Sequence, residues 1–419
     1  MPISSRESRI LIIGGSIAGL TLGNLLHRKG FDVHIFERTP GHMEGRGAGI
    51  TMLPGLIEGL QAAGVDVTEA ELGVHLPMRI ALGHQGNILA ERAFPQTMTT
   101  WKRLYDALRG VFPVDRYHDD RTVQRVEQNE ARVTAFFTDG TEIQGGLLVA
   151  ADGLRSAVRT QLMPEVKPVY PGYIAWRCLA DESALSSATH ATLFNRYAVW
   201  FAPGQQGIGY AVPGPDHALV PGKRQYNMVW YQPVPEAGLA RLLTDDDGRY
   251  HPNGIPPTAL SRTVLAEMMA QATDLLPQQI AEVTRVARTR FFQPILDLQS
   301  PRLVHGRVVI AGDAAFTARP HVAAGVPKAT GDALALAKAI HENRGDYPAC
   351  LQAFEQTRLR VGRTMVGRGQ YLGAYMEAQL KSEAERLAAE TARDPERVML
   401  ETAAPFDYGE EPVDYNAWN

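Results

Sequence analysis

The chain has 419 residues, of which 45% are hydrophobic, 21% charged and 8% aromatic. This length predicts two or three domains, and the composition excludes a disordered protein. The 42 Lys and Arg residues against 46 Asp and Glu residues leave a net charge of −4, which does not favour nucleic acid or an anionic membrane as a partner. Cys178 and Cys350 are the two cysteines. They exclude a disulfide framework and a cysteine-ligated zinc site, and they favour a reducing cytoplasm.

The first predicted unit is a strand, a helix and a second strand at residues 8–13, 17–29 and 32–37, the opening of a βαβ fold. The uncharged run at 10–26 is too short and too rich in glycine to span a membrane. Because no other stretch is long enough, we expect a soluble protein without a membrane partner.

Further elements follow in chain order. Hydrophobic periodicity predicts helices near 53–63, at 101–108, after Gly153, and at 260–270, 330–342 and 348–397. Alternating or buried runs predict strands at 121–127, 131–138, 146–150 and 307–311. Between residues 170 and 232, aromatic residues recur in short runs that Gly and Pro interrupt. This pattern predicts an antiparallel sheet with strands at 198–203, 207–212 and 226–232.

A glycine-rich turn joins the first strand to the first helix. It has Gly14 and Gly19 at the first and sixth positions of the dinucleotide-binding fingerprint, with Ser16 at the third. Such a turn places backbone N–H groups and a helix N-terminus against a pyrophosphate. Glu37 ends the next strand, where an acid accepts hydrogen bonds from a ribose. The alternative is a packing turn followed by a solvated acid. The predicted cofactor contacts of this unit are Gly14, Gly15, Ser16, Ile17, Gly19 and Glu37.

Two later motifs also follow buried strands. The first is Asp152-Gly153, which taken alone is equally typical of an ordinary turn before a helix. The second is Gly312-Asp313, whose carboxylate can accept a hydrogen bond from a ribityl or ribose hydroxyl; the alternative is a helix cap. The loop at 320–325 then opens a helix whose positive end could face an electron-rich ring edge.

In this order and spacing, the three motifs resemble those of the class A flavoprotein aromatic hydroxylases. The resemblance covers most of residues 8–345 and includes the stretches Gly47–Ile50, Arg116–His118, Gly172–Arg177, Val304–Val308 and Ala318–Gly325. It implies FAD as cofactor and NADH or NADPH as cosubstrate. It also implies hydroxylation of a small hydroxylated aromatic or pyridine ring by O₂, through a flavin C4a-hydroperoxide. No metal or nucleic acid is implied, and a homodimer stays open.

The fold that the resemblance implies is α/β. A Rossmann-like FAD-binding domain is interrupted by an inserted antiparallel-sheet substrate domain and is followed by C-terminal helices. The predicted limits of the FAD-binding domain are 1–75, 99–169 and 285–345. Those of the substrate domain are 76–98 and 170–284, and the C-terminal helical region is 346–419.

The resemblance also implies roles for single residues. The further expected FAD contacts are Arg38, Arg46, Ala48, Trp101, Asp152, Gly312, Asp313, Gly325 and Val326. Trp101 stands where many relatives place an arginine that contacts FAD. Pro327 lacks an N–H where relatives can donate one to the flavin. These two departures keep open a protein that binds FAD or an aromatic compound without turnover. The alternative enzyme is a flavin oxygenase of larger polycyclic natural products.

On the substrate side, His321 is the candidate general base, because its loop, with Pro320, should pass next to the isoalloxazine. A His that only shapes the loop is the alternative. The residues expected in the substrate wall are Tyr173, Trp200, Tyr210 and Trp230. Arg319 either binds an anionic substrate or lies at the surface.

Overall fold

The computed structural model describes residues 9–41, 43, 49–343 and 347–409. Its strands in chain order are β1 (Ile10–Ile13), β2 (Val33–Phe36), β3 (Gly49–Thr51), β4 (Val74–Leu82), β5 (Ile88–Thr100), β6 (Tyr117–His118), β7 (Val123–Gln128), β8 (Val133–Phe137), β9 (Glu142–Gly145), β10 (Leu147–Ala150), β11 (Tyr173–Asp181), β12 (Arg196–Ala202), β13 (Gln205–Val212), β14 (Gln225–Pro233), β15 (Thr289–Pro294), β16 (Leu298–Gln299), β17 (Val304–His305), β18 (Val308–Ile310) and β19 (Phe316–Thr317). Its helices in chain order are α1 (Ile17–Arg28), α2 (Leu56–Ala62), α3 (Glu69–Leu72), α4 (Trp101–Val111), α5 (Ala157–Leu162), α6 (Ser187–Leu193), α7 (Glu236–Leu242), α8 (Arg262–Leu275), α9 (Gln278–Val286), α10 (Gly325–Glu342), α11 (Tyr347–Ala378), α12 (Glu383–Thr391) and α13 (Pro395–Glu401).

The first sheet has the strand order β17-β18-β10-β1-β2-β6 and is parallel except for the β17–β18 pair. All four residues of β1 and of β10 are buried, as expected for central parallel strands covered on both faces. Helix α1 packs against α4 and α10. The predicted Rossmann-like unit is confirmed, and its strands deliver their carboxyl ends to one edge of the sheet.

The second sheet has the strand order β15-β11-β14-β13-β12-β4-β5-β3. It is antiparallel except that β4 pairs in parallel with β12. A parallel pair such as β4 and β12 needs a long crossover connection. The chain between β5 and β12 supplies it, because this segment includes β6 and β10 of the first sheet. Strands β3 and β15 belong to this second sheet although they lie in segments predicted for the FAD-binding domain. The predicted domain limits themselves stay a prediction.

Alternate side chains of the second sheet point to opposite faces. Arg177 on β11 lies opposite Val229 on β14, which lies opposite Ile208 on β13. These residues share one face. Trp176, Trp230, Gly207 and Trp200 are in register with one another on the other face. That face meets α8, where Gln271 accepts a hydrogen bond from Gln232.

The C-terminal helices connect the two sheets. Helix α11 packs against α10 and β14, and α13 packs against β4, β5 and β12. No helix in the described part of the chain is long and apolar enough to cross a membrane.

Candidate active site

A cavity with about 1000 Å³ of empty space, part of it open to solvent, lies between the two sheets. From the first sheet and its helices, the wall residues include Ser16, Ile17, Trp101, Asp313, Gly325 and Val326. From the second sheet they include Ile50, Arg177, Ile208, Tyr210, Val229 and Tyr231. Pro320 and Ala323 contribute from the loop before α10. Residues from distant parts of the chain therefore share one crevice.

The glycine turn at the end of β1 is set by close packing. Gly14 has a φ of +107°, and a Cβ atom there would overlap the carbonyl oxygen of Ala151. A Cβ at Gly19 would overlap the carbonyl oxygen of Gly14 in the same way. Helix α1 therefore begins at Ile17 directly beside the cavity, with the unpaired first-turn N–H groups that a helix start provides. This geometry fits a pyrophosphate.

Glu37 lies at the end of β2, against the same turn. Its Oε2 accepts a hydrogen bond from Gly15 N at 2.8 Å, and its Oε1 accepts one from Thr39 N at 2.9 Å. The remaining lone pairs of the carboxylate suit hydroxyl donors, although Glu37 is not among the residues that line the cavity. Arg38 is exposed and is not among the residues that line the cavity.

Asp152 follows β10. Its Oδ2 accepts a hydrogen bond from Ala157 N at 2.9 Å, whereas its Oδ1 is buried and has no hydrogen-bond partner within the described part of the chain. Burial raises the pKa of Asp152. Ala151 and Gly153, on either side of Asp152, line the cavity, whereas Asp152 itself is not among the lining residues.

A buried ion cluster holds the Gly312-Asp313 turn. Gly312 N donates to Asp332 Oδ2 at 2.9 Å, and Lys328 Nζ donates to Gly312 O at 2.8 Å. Lys328 and Arg358 both pair with Asp332, at 2.7 and 2.6 Å. Burial alone would raise the pKa of Asp332, but these two cations outweigh it and lower the pKa. The turn is thereby fixed with the Asp313 side chain in the cavity wall.

Helix α10 begins at Gly325, five residues before the predicted start, and Gly325 and Val326 line the cavity. Pro327 lies in the first turn, where an N–H would have no partner within the helix, so the proline is tolerated. Trp101 is the first residue of α4. Its ring stacks on Tyr105, with centroids 5.0 Å apart, and lines the cavity as a flat apolar surface.

His321 lies one layer behind the wall. It is fully buried, and its Nε2 is 3.0 Å from the Tyr173 hydroxyl. Its ring lies 4.0 Å from that of Tyr231, a wall residue, and its Nδ1 has no hydrogen-bond partner among the described residues. Burial, with the charge of Arg319, lowers the pKa of His321 to about 3. The imidazole is therefore neutral.

The two tryptophans predicted in the substrate wall do not line the cavity. Trp200 and Trp230 are fully buried on the face of the second sheet that points away from the cavity. The Trp200 ring covers Gly207, where a Cβ would overlap the indole. Pairing register decides which face a strand residue occupies, and the sequence pattern does not reveal it.

Arg319 is neither a surface residue nor a residue of the cavity wall. It is 3% exposed and forms ion pairs with Asp297, at 2.7 Å, and with Glu377. Both acids are distant in sequence, so local composition could not show this pairing. Tyr173 is also fully buried and does not reach the wall. Tyr210 does line the cavity, and its hydroxyl donates to Gly49 O at 2.9 Å.

Sequence reasoning missed several residues. Arg177 and Tyr231 line the cavity, and Lys328, Asp332 and Arg358 support the Gly-Asp turn. The sequence held one indication for Arg177. It lies four residues after Tyr173 in the same strand, so both side chains point to the same face of the sheet. Arg46 and Ala48, both predicted to contact FAD, lie outside the described residues. Within the described residues, no group of three or more His, Cys, Asp or Glu side chains could hold a metal ion.

Comparisons with known proteins agree with this geometry. Residues 12–44 match the model of an NAD(P)-binding Rossmann-like domain, and residues 170–297 match that of an FAD binding domain-like family. Aurachin C monooxygenase/isomerase of Stigmatella aurantiaca is 29% identical over 87% of this chain and 88% of its own length.

The fold, the cavity and these similarities define an NAD(P)H-dependent flavoprotein aromatic monooxygenase with FAD as its cofactor. A further relative is matched by both the sequence comparison and the structure comparison. It is 2,6-dihydroxypyridine 3-monooxygenase of Paenarthrobacter nicotinovorans, 29% identical over 87% of this chain and 91% of its own length. The solved structure of 2,6-dihydroxypyridine-3-hydroxylase from Arthrobacter nicotinovorans covers 88% of this chain and 93% of that chain, with a TM-score of 0.84 and 28% identity.

Proposed function

We propose that this chain hydroxylates a small hydroxylated aromatic or pyridine ring, with O₂ as oxidant and NADH or NADPH as electron donor. The observation that carries the proposal is the shared cavity. Its one wall has nucleotide-binding geometry, and its other wall is an aromatic sheet face with one arginine. FAD, when bound there, supplies the redox chemistry and the activation of O₂.

The residues of the first wall fit the cofactor. The start of α1 at Ser16 and Ile17 would hold the pyrophosphate, and Glu37 the adenosine ribose. Asp313, in the cavity wall, would accept hydrogen bonds from hydroxyls of the cofactor. For Asp152, the contact with FAD stays a prediction from the sequence, supported by the cavity-lining residues Ala151 and Gly153 beside it. The positive end of α10 would face the electron-rich edge of the flavin.

We propose that His321, the general base predicted from the sequence, supports hydroxylation by holding Tyr173 and Tyr231 in place, because its burial behind the wall and its lowered pKa make it a poor proton acceptor. It is neutral, and its Nδ1 has no partner in the described structure. The Tyr173 hydroxyl fixes the ring orientation through Nε2. Pro320, one residue earlier, lines the cavity and places this loop against the substrate space. If His321 has this role, His321→Ala should reduce kcat for hydroxylation more than FAD affinity; equal rates would contradict this role.

Two further proposals concern the cellular location of the protein and its oligomeric state. Its two cysteines are not joined in a disulfide, which supports a cytoplasmic location. We also propose a homodimer, which light scattering of the purified protein would test; a monomer at all concentrations would contradict it.

The direct test is a substrate screen. Purified protein should be yellow, and NAD(P)H oxidation should rise when the correct ring compound is added, with a hydroxylated product identified by mass spectrometry. The screen should begin with 2,6-dihydroxypyridine, other dihydroxypyridines and simple phenols. Colourless protein that rejects added FAD would contradict the proposal. Yellow protein that no aromatic compound stimulates would favour a binding protein.

A monooxygenase of larger ring systems is the second candidate. The open side of the cavity favours it, because a larger ring system could extend there. Stimulation by polycyclic compounds alone would support this candidate against the first.

A further inference from the structure

Arg177 places a positive charge in the otherwise apolar and aromatic face of the second sheet. It lies on β11 between Val229 of β14 and Phe291 of β15. It lines the cavity and is 9% exposed. Its neighbours on the same wall include Ile208, Val229 and Tyr231. A guanidinium stays charged in proteins, so this wall carries a nearly buried cation.

This cation has no partner in the part of the chain that the structure describes. Arg177 Nε is buried without a hydrogen bond, and no described carboxylate pairs with the guanidinium. This contrasts with Arg319, which is 3% exposed and pairs with two acids. A buried charge without compensation is strongly unfavourable. The position of Arg177 therefore indicates a ligand that completes its hydrogen bonding.

The groups that face Arg177 cannot neutralise it. Burial raises the pKa of Tyr210 to about 12 and that of Tyr231 further, although the charge of Arg177 opposes both shifts. Both hydroxyls therefore stay protonated and neutral. His321, behind Tyr231, is neutral as well. Asp313 belongs to the opposite, cofactor-side wall and forms no ion pair with Arg177 in the described structure.

We propose that Arg177 binds a negatively charged oxygen of the substrate, so that the cavity selects aromatic rings that enter as anions. The planar guanidinium fork pairs well with carboxylates and other oxyanions. An ionised ring hydroxyl or a ring carboxylate would supply this charge. The ionised hydroxyl would also make the ring more electron-rich, which favours electrophilic oxygen transfer. The inference rests on the proposed function only in taking this cavity as the substrate site.

The test measures binding to the FAD-loaded enzyme, not turnover. Flavin absorbance changes would report Kd for two pairs of ligands that differ in charge. Benzoate and benzamide test the carboxylate, whereas 4-nitrophenolate and 4-nitroanisole test the ring oxyanion. Wild type should prefer the anion of at least one pair. Arg177→Gln should raise Kd for that anion by about 10- to 150-fold, the usual loss for a charge-assisted hydrogen bond. Kd for the neutral ligand of the same pair should change by less than about 3-fold, since that ligand has no charge for Arg177 to bind.

Two further variants keep the test decisive. Arg177→Lys retains the charge without the fork, so it should keep part of the anion preference; it also decides the question if Arg177→Gln does not fold. Tyr210→Phe removes a hydroxyl from the same wall and should affect both members of a pair alike. Equal weakening of anion and neutral ligand in Arg177→Gln would overturn the inference, as would equal affinity of wild type for both.

The flavin is the competing partner for Arg177. If Arg177→Gln shifts the flavin midpoint potential or FAD affinity and leaves the anion preference unchanged, Arg177 serves the cofactor and the inference is wrong. Failure of the proposed function is separable. An enzyme that keeps a charge-dependent anion preference but hydroxylates nothing would contradict the proposed function alone.

Discussion

Asp313 lines the cofactor side of the cavity just after β18. If Asp313 accepts a hydrogen bond from FAD, Asp313→Ala removes a charge-assisted bond of roughly 1.5–3 kcal/mol. Kd for FAD should then rise by about 10- to 150-fold, measured by titrating FAD into the apoprotein. Asp313→Asn keeps an acceptor oxygen and should lose less. Unchanged FAD affinity in Asp313→Ala would exclude the role.

His321 also makes stability depend on pH. Its pKa is lowered from 6.5 to about 3 in the folded protein, so in this window the unfolded chain binds a proton that the folded chain does not. Stability therefore falls as pH falls. Between about pH 7 and about pH 5, wild type should lose about 2 kcal/mol of its free energy of unfolding because of this residue. The variant His321→Gln lacks the titrating group and should not show this additional loss. Urea unfolding at both pH values measures this difference. Parallel losses in both proteins would show that His321 is not a buried neutral imidazole.

At the scale of elements, the β1–α1 turn depends on two backbones in close contact. Gly14→Ala would add a Cβ both to a left-handed residue and against the Ala151 carbonyl. We expect loss of FAD binding together with a lower Tm. Gly30→Ala is the matched control, since Gly30 has a φ of +82° but no atom near its Cβ position. It should cost only about 1 kcal/mol from backbone strain. Equal effects of both variants would argue against close packing as the cause.

Arg79 connects the C-terminal helices to the His321 loop. It is fully buried in β4 and donates to the carbonyl oxygens of Met399, Thr402 and Ala403. Ala403 N in turn donates to His321 O at 2.8 Å. Arg79→Met should leave several buried carbonyls unpaired, at about 1–3 kcal/mol each. Hydrogen exchange should then increase in α13 and in residues 319–323.

The control for Arg79 is Arg92, an exposed residue of β5 that forms an ion pair with Glu396 of α13. Arg92→Met removes a surface ion pair and should change stability by at most about 1 kcal/mol. If Arg79→Met leaves exchange in residues 319–323 unchanged, α13 does not support the His321 loop.

At the scale of the whole molecule, the sequence predicted well what a continuous segment encodes. Strand, glycine turn, helix and Glu37 are neighbours along the chain, so their pattern indicated both structure and ligand chemistry. The sequence did not show which face of a strand meets the cavity. Trp176 and Arg177 are adjacent in sequence and point to opposite faces, as do Trp230 and Tyr231. Only the register between strands decides which of the two faces meets the cavity. Arg319 was misjudged because its ion-pair partners come from distant segments.

The start of α10 shows a different limit. Gly325 and Pro327 are typical of a loop, so local composition placed the helix start five residues too late. In the folded chain, these residues form the first turn, where a proline is tolerated. The cofactor side of the site could thus be predicted largely from motifs. The substrate side depends on how two sheets meet.

The most direct test of the central claim follows the origin of the new oxygen atom. The protein would be incubated with NAD(P)H and a ring compound that stimulates its oxidation, under isotopically labelled O₂ and in unlabelled water. The mass of the product would then be measured by mass spectrometry. If the cavity between the two sheets hosts flavin-dependent hydroxylation, each product molecule should carry one labelled oxygen atom. Unlabelled product, or NAD(P)H oxidation that yields only hydrogen peroxide with every ring compound, would contradict the account.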